Sequence, residues 1–249
     1  MKKFGIHFSM NEIILIRHGQ SEWNAQNKFT GWVDAALSEK GKIEAKNAGE
    51  LIKNTNIKIS KSYTSFLKRA QDTLNIVLNT IGNKGAVFEK AWELNERHYG
   101  SLTGLNKEET KISLGEEIFK KYRRSWDLAP PPLEKNSQYL SQFSKQNSEI
   151  PTLKIPTTES LKDTYDRVIP FYKNRIFPEI KNGKNVLIAA HGNSLRAFCK
   201  YLFNISNEKI NQLEIPTGNP MHIKLDSSYS KIINAFYLDE KRKEKIFFN

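Results

Sequence analysis

Two short apolar runs do most to fix what this chain can become. Ile13-Ile-Leu-Ile16 is followed directly by Arg17-His18-Gly19, and Asn185-Val-Leu-Ile-Ala-Ala190 directly by His191-Gly192-Asn193. Apolar runs of four to eight residues bounded by turn-forming residues read as strands. Longer amphipathic stretches alternate with them. The pattern therefore predicts an α/β fold, a three-layer α/β/α sandwich around a mostly parallel, twisted sheet. In open α/β sheets, ligands bind beyond the carboxyl ends of the strands. Both histidine–glycine pairs occupy such ends, where glycine lets the backbone turn sharply and approach a ligand.

The remaining elements follow from spacing. Ser38 can cap a helix over about 39–54, with Ile43, Leu51 and Ile52 at apolar positions. Ser62-Tyr-Thr-Ser65 reads as a short strand before a helix over about 66–81. A helix over about 159–176 has to accommodate Pro170 or end near it. Another is expected over about 194–203, then strands at Met221–Asp226 and Ile232–Leu238. Residues 127–158 break the alternation, with Pro130-Pro131-Pro132, Pro151 and Pro156 among polar residues and no clear periodicity. Such a segment inside a compact protein reads as a lid or a linker, and the lid is preferred because charge and apolar patterning resume normally after it. The expected layout is one catalytic domain over 11–238 whose helical insertion bears the lid 127–158. Residues 1–10 form an extension expected to be disordered, and 239–249 a loose tail.

Composition removes several classes. With 249 residues, 14 Phe, 9 Tyr and 4 Trp, the chain can build a real core, so disorder is excluded as its main state. The longest apolar run is far short of the ~20 residues that span a bilayer, so no membrane is expected. One cysteine, Cys199, cannot form an internal disulfide, and a reducing cytoplasm is the default compartment. The net charge of +12 invites nucleic acid as a partner. Yet 30 of the 39 basic residues are scattered Lys, with no nucleic-acid-binding signature, so that partner is not expected.

The histidines and the few arginines carry the chemistry. A neutral imidazole is a good nucleophile near pH 7. A phosphate dianion repels nucleophiles until fixed donors neutralise its oxygens. Arginine suits that task because its planar fork binds two oxygens and stays charged. Only nine Arg are present, and Arg17 adjoins His18, Arg69 opens the helix after the second strand, and Arg123-Arg124 form a doublet. The pattern points to phosphoryl transfer. A loop histidine or a solvated arginine would be the simpler reading of each alone.

Arg17-His-Gly-Gln-Ser-Glu-Trp-Asn24 resembles the signature of the histidine phosphatase superfamily. More narrowly the chain resembles the cofactor-dependent phosphoglycerate mutases, through Leu94-Asn-Glu-Arg-His-Tyr-Gly100 and Ala189-Ala-His-Gly-Asn-Ser-Leu-Arg196 among other blocks spread over about 11–238. The resemblance implies that His18 is phosphorylated, that Glu96 is the general acid and base at the substrate hydroxyl, and that His191 stabilises the charge opposite His18. It implies that Arg17 and Arg69, with Asn24 and the backbone at Gly192 and Asn193, hold the transferring phosphoryl group. Arg123, Arg124, Lys107 and Tyr99 would hold the carboxylate and the other phosphate, with Ser21, Thr30 and Gly31 lining the same pocket. A 2,3-bisphosphoglycerate primer, no metal, a phosphoglycerate substrate and a homodimer are implied as well. A metabolite phosphatase and a catalytically silent phosphate-binding module are the alternatives.

Overall fold

The computed structural model describes residues 11–146, 150, 154–229 and 231–248; the extension over residues 1–10 lies outside them. Strand β1 (Glu12–Arg17) is followed by the single-turn α1 (Glu22–Ala25) and α2 (Glu39–Asn54). After β2 (Lys61–Thr64), α3 (Lys68–Thr80) and the two-residue β3 (Glu89–Lys90) come α4 (Lys107–Leu114), α5 (Glu116–Arg124) and α6 (Gln138–Gln146). The chain closes through α7 (Leu161–Phe171), a π turn at Tyr172–Ile176, α8 (Phe177–Lys181), β4 (Val186–Ala190), α9 (Gly192–Leu202), β5 (Met221–Leu225) and β6 (Ile232–Tyr237).

The strands form one sheet in the order β3-β2-β4-β1-β5-β6. The pairs β2–β3, β2–β4 and β1–β4 are parallel, whereas β5 runs antiparallel to both β1 and β6. Side chains alternate across a strand, and that alternation divides the core. Ile13, Leu15, Val186, Ile188 and Ala190 face one layer with α7 and α9, while Ile14, Ile16, Leu187 and Ala189 face the other with α2 and α3. The three layers expected from the sequence are thus present.

Helix α2 starts where Ser38 accepts from the Gly41 N–H. Pro170 sits inside α7, and the helix answers its missing donor by loosening into the π turn that follows. The stretch 127–158 holds more structure than its composition promised. Tyr139 and Phe143 stack four residues apart on α6, and Phe143 is buried with Leu133 and Ile150 against Trp32. Polar Gln and Ser residues on α6 hid this one apolar stripe. The segment is also tied by its backbone, Ser101 N–H donating to Pro131 O and Thr158 Oγ1–H to Pro130 O. The tail makes contacts as well: Arg242 donates to Thr217 O and Gly218 O, and Phe248 packs on Phe203.

Candidate active site

The register of β1 on β4 builds the centre of the site. Arg17 pairs with Ala190, so His18 and His191 leave adjacent parallel strands side by side, and the His18 N–H donates to Ala190 O at 3.0 Å. Gly19 is required here by contact: a Cβ on it would lie 2.1 Å from Gly41 O at the start of α2.

His18 is buried, and its Nδ1 lies 2.7 Å from the Gly19 carbonyl. A carbonyl only accepts, so Nδ1 carries the proton and Nε2 keeps its lone pair. Arg69 Nε donates to that Nε2 at 3.3 Å. Burial, then the Arg69 and Arg17 guanidiniums, hold the His18 pKa well below its ordinary value. The same causes depress His191, whose Nε2 meets the Ser65 hydroxyl at 2.7 Å. Arg69 is itself anchored, donating to Val33 O and Gly31 O at 2.8 Å each. Burial lowers it to about 10, which still leaves it charged at neutral pH.

Glu96 enters the pocket from the turn after β3. Its Oε1 accepts from Arg97 N at 2.8 Å and from Asn193 N, in the first turn of α9, at 3.0 Å. Its backbone is clamped from behind: Arg167 donates to the carbonyls of Glu93, Asn95 and Glu96 while pairing with the buried Glu159 carboxylate at 2.7 Å. Trp32 Nε1–H adds a further bond to Glu96 O at 2.6 Å. Nothing in the spacing of Glu159 and Arg167 announced this clamp.

One pocket collects Arg17, His18, Asn24, Thr30, Gly31, Arg69, Glu96, Tyr99, Lys107, Arg123, Arg124, Gly192 and Asn193, all expected from the sequence. His191 sits behind His18, its ring 5.0 Å away. Ser21 does not line the pocket. Its hydroxyl accepts from Asn24 N while its own N–H donates to Asn24 Oδ1, so it caps α1 and orients Asn24. Tyr99 OH accepts from Asn193 Nδ2 at 3.0 Å. Burial alone would raise that phenol, but Arg97, Lys107 and Arg123 outweigh it and hold it below its usual value. His98 lies beneath the pocket, where burial pushes it down to about 3.

Lys28, Arg196 and Glu214 also line the pocket, though no role was expected for them. Arg196 could have been found, being one turn from Asn193 on α9 and bonded to its Oδ1 at 2.9 Å. Seven cationic side chains then face one cavity against two carboxylates. Arg17 Nε, Thr30 Oγ1 and Arg196 Nε are buried there without a hydrogen-bond partner among the described residues. Such donors suit an oxyanion-rich ligand.

Comparison with known proteins agrees with this geometry. The model of the histidine phosphatase superfamily (branch 1) matches residues 13–145 and 134–234. The 2,3-bisphosphoglycerate-dependent phosphoglycerate mutase of Pelagibacter ubique is 52% identical over 95% of this chain and 99% of its own length. The enzyme of the same name from Corynebacterium diphtheriae is 50% identical over 92% of both chains. Among solved structures, a phosphoglycerate mutase from Bacillus anthracis superposes with a TM-score of 0.63 at 20% identity, covering 88% of this chain and 91% of that one. A mycobacterial glucosyl-3-phosphoglycerate phosphatase gives 0.64 at 21% identity, covering 86% of this chain and 92% of that one. The chain belongs to the histidine phosphatase superfamily (branch 1), among the 2,3-bisphosphoglycerate-dependent phosphoglycerate mutases.

Proposed function

We propose that this chain interconverts 3-phosphoglycerate and 2-phosphoglycerate through a phosphohistidine at His18. The observation that carries the reading is the committed Nδ1 proton of His18, which leaves a neutral Nε2 lone pair beside Arg69. That nitrogen attacks phosphorus, and Arg17 and Arg69 neutralise the oxygens as transfer proceeds. His191, buried opposite, supports the same charge. Glu96 takes the proton of the attacking substrate hydroxyl and returns it in the other half of the cycle. Asn24, Gly192 and Asn193 complete the phosphoryl end.

The far end favours a three-carbon acid over a bare phosphate ester. Lys107, Arg123 and Arg124 supply a second set of cations for a carboxylate and a non-reacting phosphate, with Tyr99, Thr30 and Gly31 along the wall. When bound, 2,3-bisphosphoglycerate supplies the phosphoryl group that loads His18. The buried donors of Arg17, Thr30 and Arg196 fit such a polyanion. The reaction is proposed to need no metal, since guanidiniums beside both histidines repel a cation. No helix among the described residues is long and apolar enough to cross a membrane. A cytoplasmic homodimer, free of nucleic acid, completes the proposal on the strength of the family relationship.

The test supplies 3-phosphoglycerate with and without the bisphosphate to wild type and His18→Ala, following 2-phosphoglycerate, free phosphate and acid-labile protein phosphate. Primer-dependent mutase flux with a phosphoenzyme only in wild type is expected. Free phosphate as the main product would assign a phosphatase instead, and flux surviving in His18→Ala would overturn the mechanism. Sedimentation checks the dimer.

A further inference from the structure

The cationic pocket contains one acid that the proposed reaction does not use. Glu214 stands in a backbone held on both sides: its own carbonyl accepts from Tyr237 OH at 3.3 Å, and Ile215 O accepts from Arg17 Nη1 at 2.8 Å. Leu213 and Ile215 are buried. The Glu214 side chain, by contrast, is 47% exposed, and its Oε1 pairs with Arg124 Nη2, which is 18% exposed. Arg124 has no other carboxylate partner among the described residues, and neighbouring Arg123 has none. Glu214 also lies close enough to favour the charged form of Arg196.

A fixed backbone with a free side chain means that the carboxylate can leave Arg124 without the loop moving. Ion pairs with an exposed member are weakly held, because water and side-chain entropy offset much of their attraction. A ligand carboxylate reaching Arg123 and Arg124 together can therefore displace it. We propose that Glu214 is a resident competitor for the anion subsite of Arg123 and Arg124, and so determines which anions that subsite accepts. A ligand already anchored by a phosphate at the His18 end brings its carboxylate to Arg124 at high effective concentration and wins. A small anion without a second anchor does not. Glu214 thus filters inorganic anions from the carboxylate end. The inference rests on the proposed function only for the identity of the displacing carboxylate.

Binding measurements separate the two ideas, since they need no turnover. Titration calorimetry with sulfate and with 3-phosphoglycerate is carried out on wild type, Glu214→Gln, Arg124→Ala and the double variant, each checked by thermal melting. Glu214→Gln should tighten sulfate about fivefold and 3-phosphoglycerate about twofold, differences of about 1 and 0.4 kcal/mol. Most of that gain should vanish in the Arg124→Ala background. In turnover, KM should fall with kcat not raised. Unchanged or weaker binding in Glu214→Gln would overturn the proposal, as would a gain of the same size without Arg124. Failure of His18 to form a phosphoenzyme would overturn the mutase reading and leave this binding cycle standing.

Discussion

The rings of His18 and His191 stand 5.0 Å apart at an interplanar angle of 59°, and neither meets a carboxylate among the described residues. A carboxylate partner would raise an imidazole's pKa and favour the cation. Here a carbonyl and a hydroxyl take that place, and burial with two guanidiniums keeps both rings neutral. The expected outcome is that neither histidine titrates near 6.5. Ring-proton resonances of the two, assigned through His18→Ala and His191→Ala, should show no inflection at the ordinary imidazole value of about 6.5 as pH falls from 8 through it. An inflection near 6.5 in either would contradict the site's electrostatics.

The same burial makes stability depend on pH. His18, His98 and His191 all have folded-state pKa values below the unfolded value of about 6.5. The unfolded chain therefore binds more protons as pH falls. Their contribution is fully present above about 6.5 and is lost progressively below it, at up to about 1.4 kcal/mol per pH unit for each histidine. Urea unfolding between pH 7.5 and 5 should show this slope, reduced by one histidine's share in His98→Gln.

Glu96→Gln tests the proton carrier without disturbing its seat. The amide oxygen can still accept from Arg97 N and Asn193 N, so the fold should be retained. Loss of the carboxylate should lower kcat by about 10²–10⁴-fold. A variant with more than a tenth of wild-type turnover would remove Glu96 from the role assigned to it.

Arg167 acts at one remove. Arg167→Met removes a donor from three backbone carbonyls, of which only Glu96 O keeps another in Trp32 Nε1–H among the described residues, and leaves the buried Glu159 carboxylate without its ion-pair partner. Breaking one partner of a buried pair costs about 3–5 kcal/mol. Chemical denaturation should show that loss. Arg167→Lys should restore little of it, because an ammonium cannot span three carbonyls and a carboxylate.

Phe143→Ala addresses the proposed lid. Removing this buried ring from beside Trp32 and His98 should loosen α6, at a cost of about 3–5 kcal/mol if the whole segment were retained. Water would then reach the phosphohistidine more often. Free-phosphate release relative to mutase flux should rise, and an unchanged ratio would argue that the segment does not exclude water.

Much of the chemistry was legible because it follows strand ends. Arg17-His18 and His191-Gly192 needed only the rule that ligands gather at the carboxyl edge of a parallel sheet. Glu96, Tyr99 and Lys107 have no such periodicity, and only the resemblance of their surrounding block marked them. Ser21 has a structural task that residue type alone does not disclose: its hydroxyl caps α1 and so orients the pocket residue Asn24. The Arg167–Glu159 clamp was invisible because its bonds go to backbone carbonyls, which leave no trace in residue type. Helix α6 was hidden by the polar residues around one apolar stripe.

The in-register pairing of β1 with β4 has a consequence for how such a protein can change over generations. The gap between the two histidines is set by the spacing of neighbouring strands, about 4.8 Å, and not by any loop. Surface loops tolerate insertion far better than a central strand pair does. Rim segments such as those bearing Glu214 or α6 can be rewritten to suit another phosphate ester, while the placing of the nucleophile beside its supporting histidine stays constant. In this architecture the reaction is inherited with the sheet, and the choice of substrate drifts with its edges.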